Sequence, residues 1–367
     1  LKIKYQLIKI IIQEMRNKMK AYVLHGINDF RYEDVSEPNI TDNQVLVTVK
    51  AAGICGSDIP RIYSSGTYSY PLIPGHEFSG KVIKLGSNVD SKWIDENVGV
   101  FPLIPCNSCK PCIEKKFELC RNYNYLGSRI AGGFAEFVAV PENNLIKLPK
   151  NITYEAAAML EPMSVAVHAI RKISPKINDT VVVFGLGTIG LFITMFLIEM
   201  DIQNIYVVGN KESQKNVIMQ MGINEMNYCD SSCTDVNKWL SKQTDKYGFD
   251  ACFECVGSNE TISLAVNNSA PCGKIAMVGN PHFDIKFNKS VYWNILRNQL
   301  TIKGMWNSTF THEDDDDWHY VLNKLSLKKI LPENIITHIF TLDKLEKGFH
   351  IMRDKTADYI KIIMRNI

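Results

Sequence analysis

Val181-Val-Val-Phe-Gly185-Leu-Gly187-Thr-Ile-Gly190 decides the fold of the second half of this 367-residue chain. A GxGxxG pattern alone is weak evidence. Here it follows an apolar strand and opens a helix running to about Met200. The first two glycines then permit a tight turn and close approach of a pyrophosphate, the helix N-terminus supplies amide donors, and the third glycine allows close helix–strand packing. Gly185, Leu186, Gly187, Thr188, Ile189 and Gly190 are therefore cofactor-binding candidates. A second strand follows at Asn204-Ile-Tyr-Val-Val208, and further strands at Gly248–Phe253 and Gly273–Val278. Strand and helix alternate, as in a doubly wound parallel sheet. An Asp or Glu ending the second strand would bond the ribose hydroxyls of NAD. The chain has Gly209-Asn210-Lys211 instead. With no carboxylate to repel a 2′-phosphate and a lysine at hand, Asn210 and Lys211 tilt the choice between NAD and NADP slightly toward NADP. Cys252 and Cys255 form a CxxC, but residues three apart on a strand point to opposite faces, so they read as two separate buried thiols.

Upstream, from Lys20 to about Leu148, the texture is short β segments at close spacing: Ala21–Leu24, Gln44–Val49, Lys81–Ile83 and Phe134–Val138, divided by Gly, Pro and Asn turns. This suggests a small barrel-like β domain. Within it, Cys55-Gly-Ser-Asp58 and Gly75-His-Glu77 bring a thiolate, an imidazole and a carboxylate into one region. Three such ligands suit a catalytic zinc with one position left for a substrate oxygen. Cys106-x2-Cys109-x2-Cys112-x7-Cys120 supplies four soft ligands at spacings that close a tetrahedral structural zinc site. An iron–sulfur cluster also uses short Cys spacings, with nothing else in the chain to support it.

The length favours two domains. Forty-one basic and 39 acidic residues leave a formal net charge of +2, which gives no electrostatic case for nucleic acid or a membrane surface. Ten cysteines without a secretory cleavage pattern read as a metal-binding chain of the cytoplasm rather than a disulfide scaffold. Residues 1–18, basic and Ile-rich, read as an extension before the start-like Met19-Lys-Ala-Tyr22. The alternative is a membrane-surface helix.

After Thr153-Tyr-Glu-Ala-Ala-Ala158, a helix with Thr153 as N-cap, the texture changes near Glu161-Pro162. The tail changes again. Thr301–Trp306 reads as a strand returning to the first domain, and the acidic run Glu313 to Asp317 as a solvated helix start. A helix over about 342–353 and a strand Tyr359–Met364 close the chain. The expected division is 1–18 extension, 19–163 catalytic domain with the zinc lobe, 164–300 dinucleotide domain, and 301–367 completing the catalytic domain.

In combination, Cys55-Gly-Ser-Asp58, Gly75-His-Glu-Phe-Ser-Gly80, the four-cysteine lobe, Gly132-Gly-Phe-Ala-Glu-Phe-Val138, Leu160-Glu-Pro162 and the glycine loop resemble, in order, the zinc-containing medium-chain alcohol and polyol dehydrogenases. The resemblance spans the chain from Met19. It implies a GroES-like β-barrel catalytic domain joined to a Rossmann doubly wound parallel-sheet cofactor domain, with two zinc ions per chain. It makes Cys55, His76 and Glu161 the catalytic zinc ligands, with Glu77 as the alternative or exchangeable carboxylate. Ser57 matches the family's hydroxyl relay, and Asp58 is either an orienting partner for His76 or a plain helix cap. Glutamate rather than cysteine at position 161 resembles the polyol branch. Cys55–Ile62, Tyr70–Gly80 and Leu126-Gly-Ser-Arg129 resemble the members that oxidise galactitol 1-phosphate to tagatose 6-phosphate, a secondary alcohol going to a ketose phosphate. This resemblance implies NAD as the usual cofactor, and Gly209 departs from the acidic residue that implication expects. The alternatives are a sorbitol- or xylitol-type dehydrogenase and, from another class, a non-catalytic zinc- and nucleotide-binding protein. Arg61 and Arg129 are candidates for a substrate phosphate, and Tyr63, Ser64, Tyr70 and Asn307 for polyol hydroxyls. The family analogy implies a homodimer or homotetramer.

Overall fold

The computed structural model describes residues 18–281 and 283–366, so all but the last residue of the 1–18 extension lies outside the described residues. Among the described residues, those up to Glu161, with those from Ile336 onward, form one compact unit. Pro162–Ile335 form a second.

The first unit contains β1 (Lys18–Gly26), β2 (Asp29–Ser36), β3 (Gln44–Gly53), β4 (Glu77–Leu85), β5 (Asn97–Val100), β6 (Leu103–Ile104), β7 (Asn124–Tyr125), β8 (Phe137–Pro141) and β9 (Leu145–Lys147). β1 and β2 form an antiparallel pair, as do β6 and β7. The second unit contains β10 (Thr180–Phe184), β11 (Asn204–Gly209), β12 (Tyr228–Asp230), β13 (Phe249–Glu254), β14 (Ser269–Met277) and β15 (Thr301–Gly304). The chain returns to the first unit with β16 (Ile336–Phe340) and β17 (Lys361–Arg365). These complete a seven-stranded sheet in the order β16-β17-β3-β4-β5-β9, with β8 paired to β3.

β3 is central because its residues Val45, Leu46, Val47, Val49, Ala51 and Ala52 are all buried, and it takes antiparallel partners on both edges. At its end Gly53 has no room for a side chain: a Cβ there would fall on the Glu77 carboxylate and on Lys361. A smaller residue than alanine is what lets β3, β4 and β17 close around that pair.

In the second unit the strands run in the order β12-β11-β10-β13-β14-β15, every neighbouring pair parallel. Counted from β10 this is the 3-2-1-4-5-6 order of a doubly wound dinucleotide fold, with its switch point between β10 and β13. Val181, Val182, Val183 and Phe184 of β10 are wholly buried, as a strand covered on both faces must be. Each contributes about 1.5–3 kcal/mol through burial.

Two expectations about the tail need correction. The strand at Thr301 does not return to the first unit: it pairs parallel with β14, from Lys274↔Thr301 to Met277↔Gly304. The return comes at Ile336. The acidic run is also only half solvated. Glu313, Asp314 and Asp315 are exposed, but Asp316 and Asp317 are buried. Asp316 caps the helix Asp317–Ser326 by accepting from His319 N. Asp317 accepts from His168 Nδ1 (2.8 Å), Arg171 (3.1 Å), and both the amide and hydroxyl of Thr309 (2.8 Å each). Buried carboxylates need such partners, and those partners are too far off in sequence to be read from the run itself.

Candidate functional site

Cys55 stands two residues past the end of β3, His76 just before β4 and Glu77 at its start, paired with Gly53, so one antiparallel pairing gathers all three. Their ligand atoms lie within 4.8 Å of one another. Asp58, in the first turn of the helix Asp58–Tyr63 and fully buried, accepts from Cys55 N at 3.0 Å and takes the Arg61 guanidinium. Its Oδ1 stands 3.6 Å from His76 Nδ1, too long for a good hydrogen bond, and that ring nitrogen has no other partner. Burial alone would raise the Asp58 carboxyl, but His76 and Arg61 outweigh it and hold it below the usual range. Burial works against a charged His76, yet Asp58 and the Cys55 thiol push it well above the ordinary value. The helix cap is Ser57, with no capping side-chain bond; its Oγ donates instead to Cys55 Sγ at 3.3 Å.

Glu161 belongs to the same unit, in the first turn of the helix Leu160–Ile173. It keeps some exposed surface but is closely surrounded. Burial, with Glu77 nearby and His76 opposing, pushes its carboxyl up to about 7. Tyr125 Oη donates to Glu161 Oε1 at 3.1 Å, and the Tyr125 ring meets the His76 ring edge-on at 5.9 Å. Glu77 is engaged differently: it is buried against Lys361 Nζ, which also donates to Ile54 O at 3.0 Å. The thiol, imidazole and carboxylate of Cys55, His76 and Glu77 are a donor set that fits zinc, and Glu161, bonded to Tyr125, stands outside that cluster of mutually close ligand atoms.

The four cysteines of the lobe are free thiols. Three sulfur–sulfur separations are 3.9 Å (Cys106–Cys112), 3.5 Å (Cys109–Cys112) and 3.8 Å (Cys109–Cys120). Zn–S bonds of about 2.3 Å in a tetrahedron give edges of about 3.8 Å, so the cluster has the dimensions of a closed zinc site. Cys252 and Cys255, also free, have different partners, Ser269 for one and Phe253 O for the other.

In the second unit the glycine loop behaves as its spacing requires. Gly185 has φ +86°, a Cβ on Gly190 would strike the Gly185 carbonyl, and nothing lies within 4 Å of a Cβ on Gly187. Thr188 begins the helix Thr188–Glu199, with Leu186 buried beneath. Gly209 is confined too: a Cβ there would come within 2.8 Å of Leu186 and 3.1 Å of Gln214 Oε1. Asn210 N approaches Gln214 Oε1 at 3.4 Å, and Lys211 is the residue before the helix Glu212–Gln220.

The substrate candidates part company. Arg61 is occupied by Asp58, and Tyr63 lies under Arg353, 4.5 Å away. Ser64 Oγ donates to Pro60 O, and Tyr70 Oη accepts from Thr67 N. Arg129 is held flat between the Tyr68 and Tyr123 rings, at 4.3 and 4.2 Å. It donates to Tyr123 O at 3.0 Å, while its Nε is buried without an acceptor. Asn307 belongs to the second unit, at φ +53°, with its side-chain nitrogen buried and unpartnered. Sequence reasoning missed Tyr125 and Lys361. The latter had a signal: one lysine inside the apolar run Ile360-Lys-Ile-Ile-Met364.

The family described as alcohol dehydrogenase GroES-like domain matches residues 41–150, and zinc-binding dehydrogenase matches 188–326. Galactitol 1-phosphate 5-dehydrogenase of Escherichia coli K12 is 30% identical over 81% of this chain and 85% of its own. Sorbitol dehydrogenase of Halalkalibacterium halodurans is 29% identical over 95% and 100%. The crystal structure of galactitol-1-phosphate dehydrogenase from Escherichia coli superposes with a TM-score of 0.88 at 28% identity, covering 95% of this chain and 100% of that one. The chain therefore belongs to the zinc-containing medium-chain alcohol and polyol dehydrogenases and is an NAD(P)-dependent alcohol oxidoreductase.

Proposed function

We propose that this dehydrogenase oxidises a secondary alcohol of a polyol phosphate to a ketose phosphate, galactitol 1-phosphate to tagatose 6-phosphate. The observation that carries the phosphate is Arg129. A guanidinium stacked between two tyrosine rings, with a desolvated Nε lacking an acceptor, is a preorganised fork for an anion. Arg129 N also bonds Tyr125 O at 2.9 Å, so the fork belongs to the same turn as the phenol that touches Glu161. Arg61, spent on Asp58, drops out of that role.

Cys55, His76 and Glu161 would hold the catalytic zinc, with Glu77 retained by Lys361, and the four cysteines would hold the structural one. When bound, the catalytic ion supplies a Lewis acid that lowers the pKa of a substrate hydroxyl. Ser57, at 3.3 Å from the Cys55 sulfur, is the hydroxyl suited to pass on that proton. Asp58, facing His76 Nδ1 at 3.6 Å, acts on the imidazole through its charge. The hydride goes to the nicotinamide, whose chemistry is the cofactor's own. Gly209, which offers no carboxylate to repel a 2′-phosphate, with Asn210 and Lys211 beyond it, favours NADP.

Kinetics on galactitol 1-phosphate, sorbitol and xylitol with each nicotinamide test the reading. Arg129→Met forfeits charge-assisted hydrogen bonds of about 1.5–3 kcal/mol. It should lower kcat/KM for the phosphorylated polyol about 10- to 100-fold and leave the plain polyols unchanged. A wild-type preference for sorbitol would support instead the unphosphorylated reading, which the sorbitol dehydrogenase relative favours. The free thiols suit a reducing compartment, the cytoplasm. The exposed edge strand β15 and the exposed Tyr292, Trp293 and Leu296 support assembly as a homodimer, which sedimentation would detect.

A further inference from the structure

Buried carboxylates ordinarily have a cationic partner or a metal. Glu254, wholly buried at the end of β13, is met instead by donors of the turn that follows it. Its Oε1 accepts from Val256 N (2.8 Å), Gly257 N (2.9 Å) and Thr261 Oγ1 (2.8 Å), and Oε2 accepts from Gly257 N (3.1 Å). The turn is tied on both sides as well. Cys255 N donates to Phe184 O, and the amides of Val278 and Gly279 donate to Glu254 O, all at 2.9 Å. Gly257 has φ +79°, and a Cβ on Gly279 would strike the amide of Gly257. The chain has thus cleared space on every side for one turn geometry.

That turn lies across the switch point from the glycine loop, where a doubly wound sheet binds its ligand. Val256 reaches over to the loop: a Cβ on Gly185 would collide with its Cγ2. Val256 is nonetheless 42% exposed, an apolar side chain presented at the crevice while its backbone amide is held from beneath. We propose that Glu254 is a positioning residue for the dinucleotide, fixing the turn 255–258 so that Val256 forms the crevice wall opposite Gly185–Gly190. The proposal rests on the family assignment of the second unit as the cofactor unit. A glutamine in its place keeps one oxygen for the donors that share Oε1 but sets an amide NH2 against Gly257 N where Oε2 accepts, a donor facing a donor that loosens the turn and Val256's place against the loop.

The test uses the zinc-replete full-length protein and direct titration with NADH and NADPH, with Glu254→Gln, Val256→Ala and the double variant. Each single change should raise the dissociation constant about tenfold while kcat at saturating cofactor stays within about twofold of wild type. Because both act through one wall, the double variant should be no weaker than the weaker single. A wild-type dissociation constant in Glu254→Gln, or single effects that multiply, would overturn the proposal. If Glu254→Gln fails to fold, Thr261→Val removes one donor without a charge change and should raise the constant about threefold. An unchanged constant there would be equally fatal. Wild-type protein that bound neither dinucleotide would overturn the cofactor assignment along with it.

Discussion

Replacing Lys361 with methionine isolates the most costly electrostatic arrangement in the first unit. Lys361 and Glu77 are each about 1% exposed, and the ammonium also bonds Ile54 O. Gly53 leaves no space into which the Glu77 carboxylate could retreat. Methionine matches the stem but leaves the carboxylate buried and unpaired, a change that costs about 3–5 kcal/mol. With a urea dependence of about 2–3 kcal/mol per molar, the midpoint for the first unit should fall by about 1–2 M. Glu77→Gln alone strands the lysine and should cost a similar amount. Removing both together removes both desolvation penalties, so the double variant should cost far less than the sum of the singles. Urea unfolding of the four proteins, followed through Trp93, the tryptophan of the first unit, measures the cycle. A coupling below about 1 kcal/mol, or a Lys361→Met variant as stable as wild type, would refute the view that Glu77 is committed to Lys361.

Gly209→Asp should weaken NADPH binding at least tenfold relative to NADH, since a carboxylate would face the 2′-phosphate after a small shift of Leu186 and Gln214; fluorescence titration showing an unchanged ratio would contradict it. The pair His319–Asp316, at 2.9 Å, gives a pH signature. Its hydrogen bond to Asp316 raises the His319 pKa above 6.5, so its stabilisation is complete below about pH 6.5 and is lost as pH rises through the higher folded value. The stability gap between wild type and His319→Gln should therefore shrink between pH 6 and pH 9, and a gap that grows would reverse the sign.

What could be read from the sequence was local. The glycine loop and the four-cysteine lobe declare themselves because their chemistry requires fixed short spacings, and Cys55 and His76 lie at adjacent strand ends that a single hairpin-like pairing joins. What escaped was carried by distant partners. Glu77 and Lys361 meet only because β17 re-enters beside β3 after the whole second unit. The acidic run looked like solvated charge because the groups that bury Asp317 come from Thr309 and from a helix far upstream. The misreading of Thr301–Gly304 has a similar root. An exposed edge strand of a parallel sheet has little of the apolar signature of its neighbours, so nothing local told it apart from a strand of the other unit.

Zinc per chain in wild type, Cys55→Ser and Cys106→Ser, measured beside turnover and dinucleotide binding, tests the central claim of two metal sites with different tasks. The account predicts two ions in wild type and one in each variant. Cys55→Ser should stay folded and bind dinucleotide without turnover, and Cys106→Ser should lose stability. Full turnover by Cys55→Ser, or variants that match each other in stability and in activity, would contradict it.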